Sequence, residues 1–157
     1  MNIVFWNIEG LRKRTNVDFL KFINKFDIIA MYETWTENCL EINNYRKFEK
    51  NARKREGSRR GRMAGGLVMY LKNSIKNAQE INNKMEEVLW IKMNHKSVVL
   101  LIGVVYRQPD QSKYFNANFF QQMQEEIEDM KIKFPDAELI VGGDFNSRVG
   151  VEKKSWK

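Results

Sequence analysis

Short apolar runs alternate with amphipathic stretches along the whole chain. Ile3-Val4-Phe5-Trp6 reads as an opening strand. Thr15 or Asn16 then stands where a helix cap is needed. Val17, Leu20, Ile23 and Phe26 recur at helical spacing, which predicts an amphipathic helix over 16–26 with those four facing inward. Ile28-Ile29-Ala30-Met31 returns to strand, and strand, helix, strand at this spacing predicts a βαβ unit with parallel strands. Gly65-Gly66 lead into a further strand over 67–71, where the glycines suggest a bend or a close backbone approach. Val88 to Met93 and Val98 to Val105 flank Asn94-His95-Lys96 and predict an antiparallel hairpin. The longest helix is expected from 112 to 134, with Phe115, Phe119, Met123, Ile127, Met130 and Phe134 as its inward stripe. Pro135-Asp136 end it, and Leu139-Ile140-Val141 form the last strand. No repeat, low-complexity tract or linker interrupts the pattern, so one α/β domain is expected, a mixed β-sheet with flanking helices.

Polar residues stand directly after several of these apolar runs: Asn7, Glu33, Tyr106, and the pair Asp144 and Asn146 behind Gly142-Gly143. If the strands share a sheet with their carboxyl ends at one rim, these groups converge on one pocket. Taken singly, Asp144 could equally be a turn residue bonded to its own backbone. Trp35, two residues after Glu33, is read first as core and second as a wall of that pocket. Trp90, Met69, Met93, Met123 and Phe119 are read as core.

Length, 157 residues, and a 43% hydrophobic content fit a globular domain with a real core. The single cysteine, Cys39, excludes an internal disulfide and is read as a small buried side chain. No leader pattern precedes the first strand, and no window reaches the ~18 apolar residues of a membrane span. An intracellular protein without membrane contact is expected, and a basic localisation signal would allow a nuclear address. The charge is unevenly placed. Nine of the 27 basic residues but only two of the 20 acidic ones fall between Arg46 and Arg62, so that segment carries the whole net charge of +7. It is expected to be a mobile surface loop. It is either a solvated charge run or a phosphate-binding arm, with Arg53, Lys54, Arg55, Arg59, Arg60 and Arg62 as the contacts.

The residue types restrict the chemistry. There is no Gly-x-Ser-x-Gly elbow and no second histidine, which argues against a serine triad. One histidine and one cysteine do not make a zinc site, and no Gly-Lys-Ser/Thr loop cradles a nucleotide. His95 reads as a solvated turn residue. Carboxylates and amides without nitrogen or sulfur ligands favour a hard cation, Mg²⁺ or Mn²⁺, and attack of water on a phosphate ester.

Trp6-Asn7-Ile8-Glu9-Gly10-Leu11-Arg12, Tyr32-Glu33-Thr34-Trp35, Gly103-Val104-Val105-Tyr106-Arg107 and Gly142-Gly143-Asp144-Phe145-Asn146 are together similar to successive motifs of the endonuclease/exonuclease/phosphatase superfamily. The wording most resembles the endonuclease domain of non-LTR retrotransposons, and it leaves apurinic-site nucleases and phosphoesterases open. The resemblance implies the amino-terminal part of a four-layer, DNase I-like α/β sandwich. It implies Glu33 as principal metal ligand with Glu9 beside it, and Asp144 as the group that orients or deprotonates the attacking water. Asn146 would hold that Asp or the phosphate, Asn7 would fix the metal and phosphate shell, and Tyr106 would donate to a non-bridging oxygen. Arg107 would add a nearby positive charge against nucleic acid, expected to be DNA.

The same resemblance implies a further Asp and a Ser-Asp-His motif near the carboxyl end, which residues 147–157 do not supply. Residues 1–157 are therefore expected to be an incomplete domain with weak activity or none. A relic that binds nucleic acid or a partner chain without cleaving is the alternative. The resemblance further implies that much of the second sheet is missing. An apolar sheet face would then be left for a partner chain or for self-association.

Overall fold

The computed structural model describes residues 1–13, 16–54 and 63–147. Two four-stranded sheets face each other. The first runs β1 (Ile3–Asn7), β2 (Ile28–Tyr32), β4 (Leu67–Lys72), β3 (Tyr45–Lys50), with β1 and β2 parallel and the rest antiparallel. The second runs β5 (Gln79–Ile81), β6 (Val88–His95), β7 (Val98–Tyr106), β8 (Glu138–Asp144), with only the β7–β8 pair parallel. Helix α1 (Val17–Ile23) covers the outside of the first sheet and α2 (Phe119–Lys133) the outside of the second. The result is four layers, α/β/β/α, with three apolar clusters between them.

Each parallel pair is joined through a helix, as a crossover requires. Asn16 caps α1 by accepting from Phe19 N at 2.8 Å. The helix buries Phe19 and Ile23, while Val17 is 66% exposed and Leu20 38%, so the expected inward face is rotated. Trp6 decides the rotation, its ring meeting Phe19 at 5.7 Å and Phe22 at 5.4 Å. The second helix buries Phe119, Met123 and Met130 as expected, but it begins at Phe119, not 112. Residues 112–118 are turns, and Phe115 is exposed. The β6–β7 hairpin is present, with His95 paired to Val98 beside the turn.

Two expectations are corrected. The strands do not share one sheet, because an apolar run carries no information about which sheet it joins. The second sheet is not largely missing either: this chain supplies four strands of it. What the described residues leave incompletely covered is an edge. Beside the buried strands β4 and β7, the end strands β1 and β8 are half-buried along almost their whole length. They lie against one another across the core, where Phe5 packs on Gly142.

The basic segment is also revised. Its first part is strand β3, and the cations there are committed. Arg46 donates to Ile75 O at 2.6 Å, Lys47 pairs with Glu41 and Glu49 at 3.0 Å each, and Lys50 donates to Asn83 Oδ1 and Met85 O at 2.6 Å. Arg55, Arg59, Arg60 and Arg62 lie outside the described residues. Among the described residues no helix is long and apolar enough to cross a membrane.

Candidate active site

Side chains alternate between the two faces of a strand, so one parity of each strand points between the sheets. Those parities are Ile3, Phe5 and then Asn7 on β1, and Ile28, Ala30 and then Tyr32 on β2. On the other sheet they are Leu100, Ile102, Val104 and then Tyr106 on β7, and Ile140, Gly142 and then Asp144 on β8. The apolar members form the inter-sheet core, and the last member in each case is polar. Register places Asn7 opposite Tyr32 and Tyr106 opposite Asp144. The rings of Tyr32 and Tyr106 stack across the gap, 6.1 Å between centroids and 19° between planes. The site is thus the polar end rung of the core, with two residues from each sheet.

Glu33 joins it by a backbone device. At φ +56° the chain leaves β2 in a left-handed conformation, and Asn7 Nδ2 donates to Glu33 Oε1 at 3.0 Å. The turn after β1 is laced to the same segment: Ile8 N donates to Tyr32 O at 3.1 Å, Gly10 N to Glu33 O at 2.9 Å and Leu11 N to Thr34 O at 3.1 Å. The Glu9 side chain is exposed, and its backbone N–H donates to Asn7 Oδ1 at 3.2 Å. Burial pushes the Tyr32 phenol above its ordinary pKa, and the nearby charges of Asp144 and Glu33 push it further. Tyr32 is therefore a site residue that reading strand ends did not find. Counting parity forward from Ala30 would have found it.

On the opposite sheet, Gly143 has φ +140°, and a Cβ there would overlap the Val105 carbonyl, so only glycine lets β8 approach β7 here. Asp144 then closes a tight loop, with Oδ1 accepting from Asn146 N at 2.8 Å. Asn146 Nδ2 donates to Arg107 O at 2.6 Å, and Arg107 N donates to Asp144 O at 2.9 Å. The Arg107 guanidinium donates to Asn146 O at 2.9 Å and to Asp110 Oδ1 at 3.0 Å. It sits 4.8 Å from the Phe115 ring centroid and 5.3 Å from that of Phe120. Expected at the nucleic-acid surface, Arg107 is instead 8% exposed and clamps the Asp144–Asn146 loop.

Arg53 pairs with Glu86 and bridges to Ala64, and Lys54 pairs with Glu37 at 2.9 Å. Trp35, read first as core, is half-buried and lines a cavity of about 520 Å³ together with Glu33 and Tyr106. His95 ends β6 and pairs with Val98 at the start of β7, the far end of that strand from Tyr106. Among the described residues no group of three or more His, Cys, Asp and Glu could hold a metal unaided. The oxygen-only set of Glu33, Asp144, Asn7 and Asn146 nonetheless suits a hard cation that takes one or two carboxylates and completes its shell with water and phosphate.

No protein-family model matches the sequence, and no curated protein aligns with it significantly. Solved structures do match. The endonuclease domain of TRAS1, a telomere-specific non-LTR retrotransposon, is 14% identical with a TM-score of 0.62, over 94% of this chain and 61% of that one. The Xenopus laevis APE2 catalytic domain is 22% identical with a TM-score of 0.62, over 94% and 59%. D. rerio TDP2 complexed with single-strand DNA product is 18% identical with a TM-score of 0.58, over 94% and 61%. The chain spans about three fifths of the length of each. At such low identities the common property is the arrangement of layers and strands, and this chain has the DNase I-like α/β fold of the endonuclease/exonuclease/phosphatase proteins.

Proposed function

We propose that this chain is the amino-terminal part of a divalent-metal-dependent phosphodiesterase that hydrolyses phosphodiester bonds in nucleic acid, DNA first, and that it derives from a non-LTR retrotransposon. The observation that carries the reading is the end rung: Asn7, Tyr32, Tyr106 and Asp144 close the inter-sheet core, with Glu33 held to Asn7. The names of the similar structures, an endonuclease domain, a catalytic domain and a DNA-product complex, support it.

In this reading Glu33, kept in place by Asn7, is the anionic anchor for Mg²⁺ or Mn²⁺. A bound cation would neutralise charge developing on the phosphate. Asp144 faces the same gap from the opposite sheet and accepts a proton from, or orients, the attacking water. Asn146 keeps its carboxylate in one rotamer through the 2.8 Å backbone bond. Tyr106 offers a phenolic donor to a non-bridging oxygen, and Tyr32 packs that ring from behind. The one histidine, at the end of β6, is paired with Val98 at the far end of β7 from Tyr106, so it lies away from this rung. Turnover is accordingly slow, since one missing donor typically costs about 10² to 10³ in rate.

The test is nicking of supercoiled plasmid in Mg²⁺. Slow nicking that EDTA stops, and that Asp144→Ala reduces at least about 10²-fold, is expected. Nicking indifferent to that substitution would refute the assignment. The second reading, a non-cleaving binder, is favoured by the lack of a three-ligand cluster among the described residues. It predicts salt-sensitive DNA binding without nicking, weakened when Arg53 and Lys54 are neutralised.

A further inference from the structure

We infer that the cavity beside Glu33 and Tyr106 is a subsite for one unstacked nucleobase of a nucleic-acid strand whose phosphate lies at the end rung; this rests on the phosphodiesterase reading. The cavity, about 520 Å³, opens between Trp35, the Met63–Gly65 approach to β4, and the 108–114 segment after β7. Small-ligand pockets run from about 300 to 1,000 Å³, so a nucleoside fits with room for its sugar. Glu33 and Tyr106 belong both to its lining and to the end rung, so a group seated there would adjoin a phosphate at the site.

The walls have the chemistry a base selects. Trp35 and Tyr114 are aromatic, and both are held. Trp35 has φ +52°, a left-handed conformation unusual for a bulky residue. Its indole lies so close over Gly10 that a Cβ there would be 2.7 Å from Trp35 Cε3. Tyr114 donates its hydroxyl to Lys54 O at 2.9 Å, and its ring is flanked by Arg53 at 5.3 Å and Lys113 at 4.8 Å. Rigid aromatic planes stack on bases at little entropic cost. The side-chain amides of Gln108, whose Oε1 also accepts from Ser112 Oγ at 3.4 Å, and Gln111 are on the lining and present a donor and an acceptor to a base edge. Gly65 keeps the floor low, since a Cβ there would come 2.9 Å from Gln108 Nε2. An aliphatic ligand would find few aliphatic walls, and the flanking cations favour an anionic chain.

The test measures binding of labelled single-stranded DNA by anisotropy in Mg²⁺, using the Asp144→Asn chain so that the probe stays intact. One probe is complete, and a series carries a base-free residue at successive positions. At one position, loss of the base should weaken binding at least about fivefold. That penalty should fall below about twofold in Tyr114→Leu and in Gln108→Ala, variants checked for an unchanged melting profile. A base-free strand that binds equally at every position, a penalty that survives both variants, or no strand binding at all would overturn the subsite. Base-dependent binding without nicking by the unsubstituted chain would keep the subsite and refute the phosphodiesterase reading. Nicking with base-indifferent binding would do the reverse.

Discussion

Replacing Arg107 by leucine separates its two possible roles. In the structure the guanidinium supports the loop that carries Asp144, and its side chain is nine-tenths buried. A charge-assisted hydrogen bond to a backbone carbonyl contributes about 1.5–3 kcal/mol. The partner Asp110 is 67% exposed, which limits that ion pair to about 1 kcal/mol. Leucine keeps an apolar contact with Phe115 and Phe120, so the ring contacts are mostly replaced. The expected loss is about 2–4 kcal/mol, read as a lower urea midpoint at constant slope. Arg107→Lys, with one donor head on a longer stem, should lose about half of that. Amide exchange at Asn146 should accelerate in the leucine variant, because the loop opens locally. Salt dependence of DNA binding decides the rest. A residue that neutralises one phosphate contributes about 0.9 to the logarithmic salt slope for duplex DNA, whereas a clamp contributes nothing. A leucine variant with unchanged stability and a slope shallower by about 0.9 would refute the clamp.

Three further outcomes follow from the packing. Glu126 accepts from Trp90 Nε1 at 3.0 Å, Met85 N at 3.1 Å, Asn83 Nδ2 at 3.1 Å and Lys84 N at 3.2 Å, so Glu126→Ala strands the indole N–H of a fully buried tryptophan and a backbone donor. A loss of about 2–5 kcal/mol in urea unfolding followed by tryptophan fluorescence is expected, and an unchanged midpoint would contradict it. Asp27 is held below its ordinary pKa by the backbone N–H of Asn2 and by Lys72. Its contribution is present above the unfolded value of about 3.9 and is lost as pH falls through the lower folded value. Asp27→Asn should therefore be slightly less stable at neutral pH, with the difference closing only below about pH 4, and a difference that persists at the acid end would exclude it. Burial, with Glu49 alongside, pushes the Cys39 thiol up to about 12. A thiol reagent at pH 8 should leave the folded chain unmodified and titrate one thiol in urea, and equal rates in both states would refute this.

The parts of the fold written as long apolar runs were legible, and so were the residues standing at their ends. Strands β1, β2, β4, β6, β7 and β8 each carry such a run; of the residues behind them, Asn7 is bonded to Glu33 and Tyr106 is the register partner of Asp144, on two sheets where one was expected. Strand β3 was hidden because Arg46, Lys47, Glu49 and Lys50 look like a solvated charge run. The partners of Arg46 and Lys50, Ile75 O and Asn83, lie far enough along the chain that no local pattern records them. The seven-residue helix α1 is too short for periodicity to fix its face, and Trp6 fixed it instead. Trp35 escaped a firm reading because its left-handed backbone is set by packing against Gly10. Sheet membership was illegible in principle: β2 and β4 pair across a stretch of more than 30 residues, and nothing in either run names the other.

Sheet membership is also what makes the site. Had the strands formed one sheet, Asn7 and Asp144 would lie along a single rim. Because they come from opposing sheets, the gap between them is set by how closely the apolar rungs below can pack. Phe5 and Gly142 are the rung immediately beneath, and a Cβ on Gly142 would come 2.5 Å from the Phe5 ring. Glycine at 142 is thus a requirement on the distance between the two sheets at the end rung, not on a local turn. The same holds one strand inward, where Val104 packs in the inter-sheet core one step before Tyr106 meets Tyr32. Core residues two positions from the end rung therefore set the gap between Glu33 and Asp144, and in the proposed function substitutions that keep their apolar character but change their volume would act on that gap before they act on the fold.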